Sequence, residues 1–147
     1  MASPSSLDTS PTAGDATIAY GRQELTLSCT GLASPFIDVD EPRVLPSAGA
    51  DIRYLCLDQR FELQDGAVAG YVDSTRPASL DHCRQGLRQS AFDHYTGRIT
   101  AGLSFCINPK NESGSVPKTV RVDVLTDGFG ANVRVAFTGF YRNTTRS

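Results

Sequence analysis

In the C-terminal third of the chain, large apolar residues fall on every second position. Val120, Val122 and Val124 alternate with Arg121 and Asp123, and Val133, Val135 and Phe137 alternate with Arg134 and Ala136. Successive side chains of a strand point to opposite faces, so each run predicts a strand with one buried face. Between the runs, Thr126 to Ala131 carries Asp127-Gly128 and Gly130, which supply the positive φ angles of a hairpin connection. The two runs are therefore expected to pair antiparallel. Leu25, Leu27 and Cys29 repeat the same period, as do Ile52, Tyr54 and Cys56. Weaker strand signals lie at 16–20, 36–39, 60–63, 67–72 and 102–107, separated by turn clusters at Pro46 to Gly49, Gln64 to Gly66 and Asn108 to Asn111. One helix is predicted over 79–88, because Ser79 can cap the amides that follow it. Gly86 limits that helix to about two or three turns. Several short strands at close spacing predict an all-β fold, an antiparallel β-sandwich or small barrel with one short helix.

The 147 residues suit a single core. Residues 1–15 are rich in Ser, Thr, Pro, Ala and Gly, with Leu7 as the sole large apolar side chain after Met1, a composition that cannot offset the entropy of ordering. They are expected to be a disordered N-terminal linker, with a single β domain over 16–142 and a flexible tail at 143–147. No apolar run approaches the roughly 20 residues that a membrane helix needs. Fourteen Lys plus Arg against sixteen Asp plus Glu give a net charge of -2, without the basic excess that phosphate-backbone binding uses. No membrane span and no nucleic-acid partner are expected.

Cys29, Cys56, Cys83 and Cys106 change the picture most. Their number is even, and no two are close enough for the C-x-x-C pairs of a zinc site. Two disulfides are expected, with three connectivities open. Pairing of sequence neighbours, Cys29 with Cys56 and Cys83 with Cys106, is preferred because neighbours along the chain tend to be neighbours in meandering β folds. Disulfides persist outside the reducing cytosol, so the expected location is secreted or on the extracellular face of the cell envelope. Met1, the sole methionine, opens a stretch with neither the basic nor the apolar region of a signal peptide. The expectation is a chain trimmed of an upstream signal or anchor.

Candidate chemistry is sparse. His82 and His94 each follow an aspartate, in Asp81-His82-Cys83 and Asp93-His94-Tyr95. A Cys83–His82 nucleophile pair is disfavoured because adjacent residues diverge and Cys83 is assigned to a disulfide. Asp38 and Asp40 alternate on an extended segment and so share a side, which would suit a calcium ion, yet the EF-hand framework is missing. A solvated strand face or turn is the plainer expectation, and no metal or cofactor is assigned. No nucleophile elbow, P-loop or dinucleotide fingerprint occurs. Asn111-Glu112-Ser113 and Asn143-Thr144-Thr145 match the glycosylation sequon. Asp38, Asp40, His94 and Tyr95 are the residues carried forward as ligand or partner contacts.

The stretch Ile37-Asp38-Val39-Asp40, then Gly49-Ala50-Asp51-Ile52-Arg53-Tyr54, then Cys83, then Gly102-Leu103-Ser104-Phe105-Cys106-Ile107 before a terminal hairpin, resembles the small extracellular β domains of actinobacterial secreted proteins, lipoproteins and receptor-type serine/threonine kinases. The resemblance spans about residues 36 to 140, and Cys29 and Cys56 stand outside its pattern. It implies a noncatalytic, envelope-exposed module. The function expected is a noncatalytic binding or sensory module whose partner is an extracellular ligand, a glycan or a protein. Two alternatives are a protein-interaction or inhibitor domain acting through loop 108–117, and a small secreted hydrolase combining Asp38 or Asp40 with His82 or His94.

Overall fold

A computed structural model describes residues 18–29, 34–45, 50–64, 66–110, 116–126 and 132–142. The expected linker at 1–15, the tail at 143–147, the turn residues 127–131 and the sequon residues Asn111 and Asn143 lie outside the described residues. The elements are β1 (Ile18–Ser28), β2 (Phe36–Asp38), β3 (Arg43–Leu45), β4 (Ile52–Leu55), β5 (Arg60–Leu63), β6 (Val68–Tyr71), α1 (Leu80–Gln89), β7 (Ala91–Phe92), β8 (Ser104–Asn108), β9 (Lys118–Val124) and β10 (Asn132–Tyr141). They form a six-stranded sheet, ordered β1-β10-β9-β8-β6-β7, and a four-stranded sheet, ordered β3-β2-β4-β5. All the pairings are antiparallel.

The alternating pattern builds the core directly. In the β9–β10 pair, Val135 lies opposite Val124 and Phe137 opposite Val122. Leu27, Ile37, Ile52, Phe61, Phe105, Ile107, Val120, Val122, Val133, Val135 and Phe137 are fully or almost fully buried and belong to one cluster shared by both sheets. An aromatic chain crosses it: Tyr54 packs on Phe61 at 5.4 Å between ring centroids, Phe61 on Phe105 at 5.8 Å, and Phe105 on Phe92 at 5.7 Å. The arrangement is sandwich-like.

Three local features depart from the sequence pattern. The segments expected as separate strands at 16–20 and 25–29 are one long strand, β1, with register shifts between Ile18 and Gln23. Between the two shifts, Tyr20 lies over Gly139, where a Cβ would sit 2.4 Å from its ring, and the Tyr20 hydroxyl donates to the Val39 carbonyl at 2.5 Å. The bulge thus ties the edge of the larger sheet to the smaller one. The strands β3 and β7 had no counterpart in the pattern, since runs of three and two residues are too short to show a period.

Both disulfides join sequence neighbours, Cys29–Cys56 with Cα atoms 5.9 Å apart and Cys83–Cys106 with 5.4 Å. The first connects the end of β1 to the chain just beyond β4, and so one sheet to the other. The second fastens α1 to β8 on the outer face of the larger sheet. By the chain-entropy model each loop of this length contributes about 3 kcal/mol. The Ser79 side chain accepts from the His82 amide and caps α1 as expected. Gly86 has a further role: α1 crosses β6 backbone to backbone, and a Cβ on Gly70 would lie 2.3 Å from the Gly86 carbonyl oxygen.

Candidate functional site

Asp38 and Asp40 do share a side, and a third carboxylate joins them. Oxygen atoms of Asp38, Asp40 and Asp51 all lie within 4.8 Å of one another. Asp38 ends β2, Asp40 sits in the turn that follows, and Asp51 immediately precedes β4, so the antiparallel pairing of β2 with β4 brings them together. Asp51 is buried and accepts from the Val39 amide at 2.8 Å. Asp38 accepts from the Asp40 amide at 2.9 Å and from Arg43 at 3.2 Å. Burial, followed by the charges of Asp40 and Asp38, pushes the Asp51 carboxyl up to about 7. Burial and the same three carboxylates hold the Tyr20 phenol protonated well beyond its usual range. Below about pH 7 the trio therefore holds a proton. It offers three carboxylate groups where calcium takes six to eight oxygens, and the Val39 carbonyl beside it already accepts from Tyr20.

His82 and His94 join no such group: among the described residues, Asp38, Asp40 and Asp51 are the one set of three acidic, His or Cys side chains close enough to share an ion. His82 lies on α1, over the larger sheet, with Asp73 as the acid whose charge reaches it. His94 and Tyr95 belong to a segment that pairs with β5, two strands away from β2. The His94 carbonyl accepts from the Leu63 amide at 2.7 Å, and the Arg60 guanidinium lies over the Tyr95 ring at 5.7 Å. The four residues carried forward from the sequence therefore divide between two places, Asp38 and Asp40 at one and His94 and Tyr95 at the other.

A second site lies on the outer face of the six-stranded sheet, where α1 covers only part of the surface. A cleft of about 570 Å³ runs there, bounded by Arg22 on β1, Thr138 on β10, Arg121 and Asp123 on β9, Ser104 on β8 and the 74–78 segment. Its volume falls within the ~300–1,000 Å³ typical of small-molecule sites. The floor is a closed polar network. Asp123 accepts from Arg121 Nε at 3.0 Å and from Ser104 Oγ at 2.5 Å. Arg121 Nη1 donates to the Arg76 carbonyl at 2.8 Å and Nη2 to the Ser74 carbonyl at 3.3 Å. Arg121 is 3% exposed, so its charge is buried and answered by Asp123.

The sequence placed Arg121 and Asp123 correctly on the side opposite the valines, yet gave no sign that this side is covered. The period of a strand reports which residues share a face and is silent on what packs against it. Arg22, Arg76 and Ser104 carried no motif either, because they meet only through the strand order. The central part of loop 108–117, expected to engage a protein partner, lies outside the described residues.

No protein-family model, curated protein or solved structure matches this chain. Its site chemistry rests on its own geometry. All four cysteines are in disulfides, which is compatible with an oxidising extracellular environment, and no helix among the described residues is long and apolar enough to cross a membrane.

Proposed function

We propose that the protein is a noncatalytic binding module, secreted or displayed on the outside of the cell envelope, and that its binding face is the cleft on the outer side of the six-stranded sheet. The observation that carries this reading is the cleft's construction. Its floor is rigid, because Arg121 bonds both to Asp123 on its own strand and to two carbonyls of the 74–76 wall. Preorganised polar groups in a concavity lower the entropy cost of holding a ligand. Both disulfides support an extracellular setting, since such bonds form and persist in oxidising compartments and are rare where thiols are kept reduced. The sequence resemblance to envelope-exposed domains points the same way.

The test is an array of glycans and cell-envelope components, probed with the purified domain and with Ala78→Trp. Ala78 is exposed and lines the cleft, so the indole fills the space without touching the core. The domain is expected to retain at least one component and the variant to lose at least tenfold of that binding, with unchanged melting. Retention by both proteins alike, or by neither, contradicts the proposal.

A further inference from the structure

We infer that the cleft takes a ligand through an oxyanion, a carboxylate or phosphate group seated between Arg22 and Arg76 above Arg121. The inference rests on the reading of the cleft as the binding face and names the chemistry that face selects. Three of the twelve lining residues are arginines and one is an acid, Asp123. No aromatic residue lines the cleft, so nothing there can stack on the flat face of a neutral sugar.

The charges around the cleft leave a local positive surplus on a chain whose net charge is -2. On the β1 rim, Glu24 is shared between two cations, Arg22 at 3.2 Å and Arg134 at 2.5 Å. On the opposite wall, Arg76 makes no ion pair among the described residues. The acid whose charge it feels is Asp73, which is held by the Thr75 amide and hydroxyl at 2.9 and 2.7 Å. Beneath them the charge of Arg121 is cancelled by Asp123. Four arginines thus face three carboxylates, and the two guanidiniums at the rim are exposed.

Arg121 uses three of its five N–H donors on Asp123 and the two wall carbonyls. By holding those carbonyls it fixes the wall from which the Arg76 side chain projects. A guanidinium presents parallel donors that match the two oxygens of a carboxylate or phosphate, which a lysine would not do. A cationic ligand would meet the surplus as repulsion.

The experiment is an amide chemical-shift titration of the intact, oxidised domain with inorganic phosphate, with D-glucuronate and with neutral methyl glucoside. The amides of Ser74, Arg76, Ala78, Gly102 and Asp123 are expected to move saturably with at least one of the two anions. Which anion binds more tightly tells a phosphate ligand from a carboxylate one. Arg76→Gln, which removes a guanidinium that makes no hydrogen bond or ion pair among the described residues, is expected to weaken that binding about tenfold, the size of one lost charge-assisted hydrogen bond. Arg88→Gln, on the last turn of α1 outside the cleft, should leave it unchanged. Absence of movement with both anions, or equal affinity in Arg76→Gln, overturns the inference. If methyl glucoside moves these amides and the anions do not, the oxyanion assignment fails while the cleft stands as the binding face.

Discussion

Gly86→Ala is expected to lower stability by about 3 kcal/mol, the upper part of the range for overpacking a core. The sign is the informative part. In an isolated helix the same substitution raises stability by about 1 kcal/mol, because glycine gives up more backbone freedom than alanine. In this fold a Cβ on Gly86 would lie 2.5 Å from the Tyr71 carbonyl oxygen and 2.5 Å from Val72 Cγ1, where real Cβ contacts essentially never fall under 3.0 Å. The obstacle on the β6 side is backbone, so relief requires α1 to lift. The Cys83–Cys106 bond holds it down three residues earlier, about one turn along the helix. Gly70→Ala meets the same barrier from the sheet side and should cost a similar amount. Gly97→Ala is the control: its Cβ would find only the Tyr71 hydroxyl, at 3.8 Å, and a change within about 0.5 kcal/mol is expected. Urea unfolding of the oxidised proteins measures all three. A stabilised Gly86→Ala would show that α1 does not pack on β6 at backbone distance.

The second large effect is on pH dependence. Asp51 is held at about 7 by burial and by Asp40 and Asp38, against 3.8 in the unfolded chain. An acid whose pKa is raised on folding binds more protons in the native state than in the unfolded one. Its contribution therefore falls as pH rises from about 4 through about 7, then levels off. The nominal loss of some 4 kcal/mol shrinks to about 2 kcal/mol once water reaching the half-buried Asp38 and Asp40 is allowed for. Asp51→Asn keeps an acceptor for the Val39 amide and removes the charge. Relative to the wild type it is expected to be about equally stable at pH 4 and about 2 kcal/mol more stable at pH 8. His82, whose pKa is lowered by burial and then by Arg76 and Arg121, contributes the opposite slope, lost as pH falls below 6.5. It does so in both proteins, so the difference between them isolates Asp51. A difference that is flat with pH, or that favours the wild type at pH 8, contradicts the assignment.

Much of the sandwich was legible because burial on one face leaves a period of two. Val120 to Val124 and Val133 to Phe137 announced both the strands and their pairing, and the even cysteines with no short spacing announced two disulfides, though their connectivity stayed open with neighbour pairing preferred. The rest depended on contacts that no local pattern encodes. Gly86 looked like a weak point in a helix, whereas its missing side chain is what lets α1 reach β6. Asp51 stood alone before a strand, eleven positions beyond Asp40 in the chain, and only the β2–β4 pairing makes it part of a trio. Arg121 looked like an outward-facing surface residue. It is buried because the 74–76 carbonyls close over it, and that closure is also what turns a sheet face into a cleft. His94 and Tyr95, singled out for their types, face a different part of the smaller sheet from Asp38 and Asp40.

The proposed exported role and the proposed binding face both depend on the oxidised fold. Alkylation of the protein as it is taken from the cells that make it, in denaturant and without reductant, tests this most directly. The expected result is no alkylated cysteine, with non-reducing peptide maps joining Cys29 to Cys56 and Cys83 to Cys106. Four alkylated thiols would contradict it, and with it the reading of the protein as an exported binding module.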